Sequence, residues 1–308
     1  MRVRPAGGRH RGLPLREKMP FSLLSHLWLH EPDADAITRA VDELGLPSAE
    51  STELASAYTD VFLLNVYPYG TTFTDPSGEL NGPDAQRIAA LYETRGYCPP
   101  ELSAVGAPDH LGLCLGFLAH LSDTKCLQDT SCLLLEWAPV CCLAVEREPS
   151  AHSFYRALAL RTRETLLTTC AARNTQHDDP QSEIYNLQFK EEVSLRDIAR
   201  FFLAPAKCGM FLSRSRLGQM AKESGMRLPF GSRFDVAEML FASAGEAGQI
   251  ESLIDALKSE VEAWATEYRA WAEKHPAWRP FAEAWLARTA DSTRTLAEMK
   301  RIVEVERI

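Results

Sequence analysis

Two short segments carry side chains suited to chemistry as well as to packing. In Ala107-Pro108-Asp109-His110-Leu111 a proline stands just ahead of an apolar stretch and sets a carboxylate beside an imidazole. Such a pair can hold a guanidinium, orient a proton, or simply cap a helix, because a carboxylate at a helix N-terminus accepts free backbone amides. The positive end of a helix disfavours an imidazolium, so His110 calls for a specific hydrogen bond, with Asp109 or with a guest. The second segment, Tyr67-Pro68-Tyr69-Gly70-Thr71-Thr72-Phe73, places three aromatic rings on a proline-interrupted stretch. Burying them needs an apolar surface, either the protein's own core or a ligand.

Other constellations fail on chemistry. Gly7 and Gly12 have the spacing of a phosphate loop, but Leu13-Pro14 stands where the lysine and hydroxyl must be. No GxSxG, HExxH or GxGxxG pattern occurs, and His110 and His120 lie about 80° apart around a helix without a third ligand. His177-Asp178-Asp179 sits in a polar stretch and reads as a solvated charge cluster rather than a cation site. Arg214, Arg216 and Arg233 near Ser213 have the makings of a phosphate cradle, though nothing else in the sequence supports one. Trp264, Trp271, Trp278 and Trp285 recur every seven residues, and their company of Ile and Leu makes them core rather than a ligand platform. Eight cysteines without a CxxC pair, mostly in apolar runs, read as buried reduced thiols. No metal, cofactor or catalytic group follows from these residues, and an enzyme is not expected.

The elements that must position the two segments are helical. Asp33 can cap a helix whose apolar positions Ile37, Ala40, Val41 and Leu44 follow helical spacing until Gly45. Leu54, Tyr58, Val61, Phe62 and Asn65 continue the pattern until Pro68 forbids it, opening a loop through Asp75-Pro76-Ser77-Gly78. A short helix over Ala85 to Tyr92 precedes an apolar helix from about Asp109 to Leu121, then helices near Cys132 to Val145, interrupted at Pro139, and Ser153 to Cys170. Ser213 and Ser232 are N-caps. A long helix from about Ala247 carries a heptad-like seam, Ile250, Ile254, Leu257, Val261, Trp264, Tyr268 and Trp271, until His275-Pro276; Phe281, Trp285, Leu296, Met299 and Val303 mark a second helix. These predict an antiparallel hairpin in an all-α protein, with no strand pattern surviving. The domain reading is a disordered basic tail over 1–18, with Met19 as an alternative start, a helical domain over 19–171, a polar linker over 172–194 and a helical region over 195–308.

Charge narrows the partners. Lys and Arg number 33 against 42 Asp and Glu, a net −9, and the first 18 residues alone carry +5, leaving −14 for the rest. So acidic a body repels nucleic acid and anionic membrane and attracts basic peptides. No run of apolar residues is long enough to span a bilayer, so stable membrane insertion is not expected.

At the two segments the sequence resembles the TorD-like redox-enzyme maturation chaperones, which include the DmsD and NarJ branches. The order is shared: Phe62-Leu63-Leu64 ending a helix, Tyr67-Pro68-Tyr69 with Phe73 and a Gly78 turn, Pro108-Asp109-His110 opening an apolar helix through Phe117-Leu118, then Trp137, then Phe154-Tyr155. It covers about residues 50 to 170. Gly106-Ala107 stand where the family commonly has a further acidic residue, which weakens any two-carboxylate site. The resemblance implies a TorD-like helical bundle with an added C-terminal helical extension. It implies a cytoplasmic chaperone, monomer or homodimer, that binds the twin-arginine signal peptide or apo form of a molybdenum-cofactor oxidoreductase before cofactor loading. Tyr67, Tyr69, Phe73, Pro108, Asp109, His110 and Trp137 are then the candidate signal-peptide-binding residues, Asp109 contacting Arg or orienting His110. A carboxylate-bearing, apolar-lined groove fits a guanidinium pair followed by an apolar helix. The alternative is a helical adaptor for a respiratory complex that recognises no signal peptide.

Overall fold

The computed structural model describes residues 20–77, 82–171, 194–227 and 231–306. The basic tail, the Gly78 turn and the polar stretch from 172 to 193 lie outside the described residues. Among the described residues, apolar positions at helical spacing become sixteen α-helices: α1 (Phe21–Leu29), α2 (Ala34–Leu44), α3 (Ser51–Tyr58), α4 (Gly70–Thr74), α5 (Pro83–Thr94), α6 (Leu102–Val105), α7 (Leu111–His120), α8 (Thr124–Leu134), α9 (Ala138–Arg147), α10 (Ser153–Ala171), α11 (Leu195–Leu203), α12 (Pro205–Cys208), α13 (Arg214–Glu223), α14 (Arg233–Glu246), α15 (Ile250–Lys274) and α16 (Arg279–Glu306). The fold is all-α. Among the described residues there is no β-strand, only one antiparallel bridge between Tyr69 and His110.

Local chemistry sets the boundaries. Asp33 accepts from the Ala36 amide at 2.8 Å, and Gly45 ends α2 in the left-handed region that glycine enters without strain. Ser213 and Ser232 cap α13 and α14 as expected, the latter with Asp235 in a reciprocal capping box. Gly248, at φ 66, separates α14 from α15, so the long helix starts at Ile250 rather than Ala247 and runs 25 residues, still holding the whole predicted seam from Ile250 to Trp271. The interruption expected at Pro139 is present: α8 ends at Leu134 and α9 begins at Ala138. Pro139 cannot donate a helical hydrogen bond and sits in the first turn of α9, where none is required.

The stretch predicted as one helix to Asn65 changes pitch: α3 passes into a π-helical turn over Thr59–Asn65. Wider winding leaves the Asn65 amide free to donate to the Asp60 carbonyl at 3.0 Å, while its Oδ1 accepts from the Ser215 amide and hydroxyl at 3.0 and 2.9 Å. A side chain 150 residues away thus caps the start of α13.

α1 packs on α7, α9 on α10, α11 on α14, and α15 on α16. The last pair is an antiparallel hairpin: Trp271 and Trp278 meet at 5.3 Å by the turn, and Lys300 reaches Asp255 at the far end. Its tryptophans are core, as expected. Trp278 and Trp285 donate their indole N–H groups to the Leu135 and Glu136 carbonyls, satisfying the turn between α8 and α9. Buried Glu260 joins the hairpin to α9 and α13 through Arg147 at 2.9 Å and Arg216 at 3.0 Å. Burial pushes its carboxyl up, but the two guanidinium groups outweigh that and hold it below the usual range. One apolar cluster runs from Phe21 to Met299 through both halves of the chain.

One expectation is corrected. Cys132 of α8 and Cys170 of α10 form a disulfide, their Cα atoms 5.5 Å apart. Thirty-eight residues separate them, so nothing in their spacing signalled a pair that only helix packing creates. Cys114, Cys141, Cys142 and Cys208 are buried free thiols, and burial raises the pKa of each.

Candidate functional site

The two segments singled out in the sequence meet. Leu111 donates its amide to the Pro68 carbonyl at 2.7 Å, and Gly70 donates to the Asp109 carbonyl at 3.0 Å, so the strand-like stretch before α4 lies along the approach to α7. Asp109 is 1% exposed. Its Oδ2 accepts from the Thr71 amide at 2.7 Å and the Thr71 hydroxyl at 2.8 Å. It therefore caps α4 across the fold rather than its own helix. His110 is the residue that caps α7: its Nδ1 accepts from the Gly112 amide at 3.1 Å. That bond fixes the proton on Nε2, and burial lowers the imidazole pKa to about 3, keeping the ring neutral at a helix's positive end.

The aromatic segment divides. Phe73 is fully buried, its ring 5.4 Å from Phe211 and stacked on Trp137 at 6.4 Å. Phe73 and Trp137, expected as walls of a groove, are core, because α4 inserts its apolar face between α9 and the segment after α12. Gly70 eases this approach: a Cβ there would stand 3.0 Å from the Trp137 ring and press on it. Pro108 contributes its carbonyl to the Tyr92 hydroxyl at 2.9 Å. Tyr69 is half-buried, its hydroxyl donating to the Val105 carbonyl at 2.9 Å and its ring set edge-on to His110 at 4.9 Å. Tyr67 and Tyr69 reach a surface, and with Thr72, Pro76 and Ser77 they form one wall of a cleft of about 650 Å³.

The opposite wall comes from the C-terminal third. Leu203, Ala204 and Phe234 supply apolar surface, and Phe234 is 44% exposed. Arg196 and Arg200, one turn apart on α11, both reach Glu238 of α14, at 2.7 and 3.5 Å. Lys207 and Asp235 also line the cleft. Its floor includes Arg233, which donates to the Leu212 and Leu203 carbonyls and lies over the Phe211 ring at 4.3 Å. Of the three arginines read as a possible phosphate cradle, only Arg233 is here; Arg216 is committed to Glu260 and Glu223.

Sequence reasoning missed this second wall. Arg196 and Arg200 at i, i+4 on an amphipathic helix are visible in the sequence, but so spaced they look like any solvated face. Their place opposite Tyr67 depends on α12 packing against α4, a contact between distant parts of the chain.

What the geometry defines is an all-α protein with a half-apolar, charged cleft and no grouping of three potential metal ligands among the described residues. Residues 29–141 match the family model described as nitrate reductase delta subunit. Over these residues the chain is similar to that family, which is of the NarJ and TorD type of chaperone and serves molybdoenzyme maturation. The match takes in the Tyr67 to Phe73 segment, Pro108-Asp109-His110 and Trp137; Arg196 to Glu238 lie beyond it. No curated protein and no solved structure matches the chain. No described helix is long and apolar enough to cross a membrane.

Proposed function

We propose that the protein is a cytoplasmic maturation chaperone that holds a segment of an apo molybdenum-cofactor oxidoreductase in the cleft between Tyr67 and Phe234. The observation that carries this reading is the division of the aromatic segment: Phe73 anchors it in the core, while Tyr67 and Tyr69 remain at an open, apolar-lined cleft. Rigidly anchored aromatic rings at a cleft mouth bind a partner at little cost in side-chain entropy. Asp109 and His110 then act as positioning residues, since both are buried and committed to the backbone of the segments they join.

Recognition of a twin-arginine signal peptide is the second reading. It is favoured by the excess of carboxylates in the chain and by Asp235 and Glu238, one turn apart on the cleft wall. An incoming guanidinium pair would take Glu238 in exchange for Arg196 and Arg200.

Calorimetric titration of the full chain with a molybdoenzyme of the same cell, cofactor-free and cofactor-loaded, tests the proposal. Binding of the cofactor-free form only, weakened at least tenfold by Phe234→Asp, is the expected result. Equal binding of the loaded enzyme overturns it. Titration with Arg-Arg and Lys-Lys signal peptides separates the second reading, because only Arg makes the bidentate contact.

A further inference from the structure

The charge of the cleft runs against the charge of the molecule. The chain carries −9 overall, yet the cleft walls hold four cations, Arg196, Arg200, Lys207 and Arg233, against two carboxylates, Asp235 and Glu238. Glu238 is shared by two of the arginines, and Asp235 accepts from the Ser232 amide and hydroxyl in its capping box. Lys207 and Arg233 have no carboxylate partner among the described residues.

Arg233 is the telling member. Its side chain is 7% exposed, and two backbone carbonyls and the Phe211 ring hold the guanidinium in place. Burial lowers its pKa to about 10, so it is still a cation at neutral pH. A buried cation without a counter-ion is costly, and an anion arriving from outside recovers much of that cost. Phe234 and Leu203 beside it offer apolar surface to the flanking side chain.

We propose that the cleft recognises an acidic client segment, one presenting carboxylates to Lys207 and Arg233 with an apolar side chain against Phe234. This rests on the cleft being the place where the client docks, and it names the chemistry of the docked segment. Arg196 and Arg200 widen the field of positive charge at the mouth. Glu238, which they share, keeps that field short-ranged and selects for a segment that reaches the floor.

The test uses the full chain and three fluorescein-labelled 12-residue peptides with the same Leu and Phe positions, whose four remaining side chains are all Glu, all Gln or all Arg. Fluorescence anisotropy at low salt should rank Glu above Gln by at least tenfold and Gln above Arg. Lys207→Glu, a surface change that leaves the Arg233 contacts in place, should remove most of that advantage, and added salt should erode it. Because Arg233 holds two carbonyls and its replacement threatens folding, Arg200→Glu serves as the second variant and should act in the same direction. A photo-crosslinking residue at position 234 reports separately whether the cofactor-free enzyme enters the cleft. Crosslinking without the Glu preference, or with Arg the tightest peptide, overturns the acidic-segment inference and leaves the docking place standing. Absence of crosslinking overturns the docking place itself, and no measurable binding of any peptide overturns the inference.

Discussion

Asp109 and Thr71 are joined twice, through the Thr71 amide at 2.7 Å and its hydroxyl at 2.8 Å, both received by one carboxylate oxygen. The other oxygen, Oδ1, is buried without a hydrogen bond. Asp109 thereby fixes the start of α4, and with it the aromatic segment at the cleft. Asp109→Ala leaves two buried donors unpaired and should cost on the order of 2 to 4 kcal/mol. Asp109→Asn keeps an acceptor and should lose far less. Urea denaturation gives the stabilities, and hydrogen exchange at the amides of Gly70 to Phe73 reports whether the loss is centred there.

His110 makes the stability depend on pH. Its folded pKa, about 3, lies below the unfolded value near 6.5. The unfolded chain therefore binds the extra proton between these values, so stability is full above about pH 7 and falls as pH drops through 6.5 toward 3. The loss is about 1.4 kcal/mol per pH unit within that window. Glu146 acts oppositely, since burial raises its carboxyl to about 7 even with Arg163 beside it, and its contribution is lost as pH rises through that value. His110→Asn isolates the first effect: asparagine can cap α7 without titrating. Chemical denaturation at pH 7 and pH 5 should show the variant losing about 2 kcal/mol less than the parent chain.

Asn65 ties the π-helical turn to α13 through Ser215. Asn65→Ala removes a cap-like acceptor and should destabilise the chain by about 1 to 2 kcal/mol. Exchange of the Ser215 and Arg216 amides should accelerate well beyond that of α15. A uniform change across both helices would mean that the cap holds nothing of its own.

The disulfide between Cys132 and Cys170 closes a long loop between α8 and α10. In protein alkylated during lysis and digested without reductant, the two peptides should elute as one linked species. Reduction should lower stability by roughly 2 to 4 kcal/mol. Recovery of both cysteines as alkylated thiols would return the pair to the reduced state first read from the sequence.

Much of the helical order was legible in the sequence, because helix formation is written in short-range pattern. Ser213 and Ser232 can be recognised as caps from neighbours within four residues, and the hairpin seam from Ile250 to Trp271 declares its buried face by spacing. Where a local break was decisive, as at Gly248 or Pro139, the sequence contained the residue but the extent of its effect depended on packing. The π-helical turn at Thr59–Asn65 is a case of the second kind: its winding answers to Ser215, 150 residues on.

For the site the division falls within single motifs. By itself the sequence determined that Pro108-Asp109-His110 and Tyr67 to Phe73 are the unusual segments, since a charged pair before an apolar helix and three rings on a broken one both demand partners. Only the tertiary structure decided which partners. It turned Asp109 inward to Thr71, gave the helix cap to His110, sank Phe73 and Trp137 into the core, and left Tyr67 and Tyr69 facing a cleft whose cations come from α11, α12 and α14. The reason is physical: a side chain's demand for a hydrogen bond or an apolar contact is a property of its type, but who meets it is settled by which distant helices pack together.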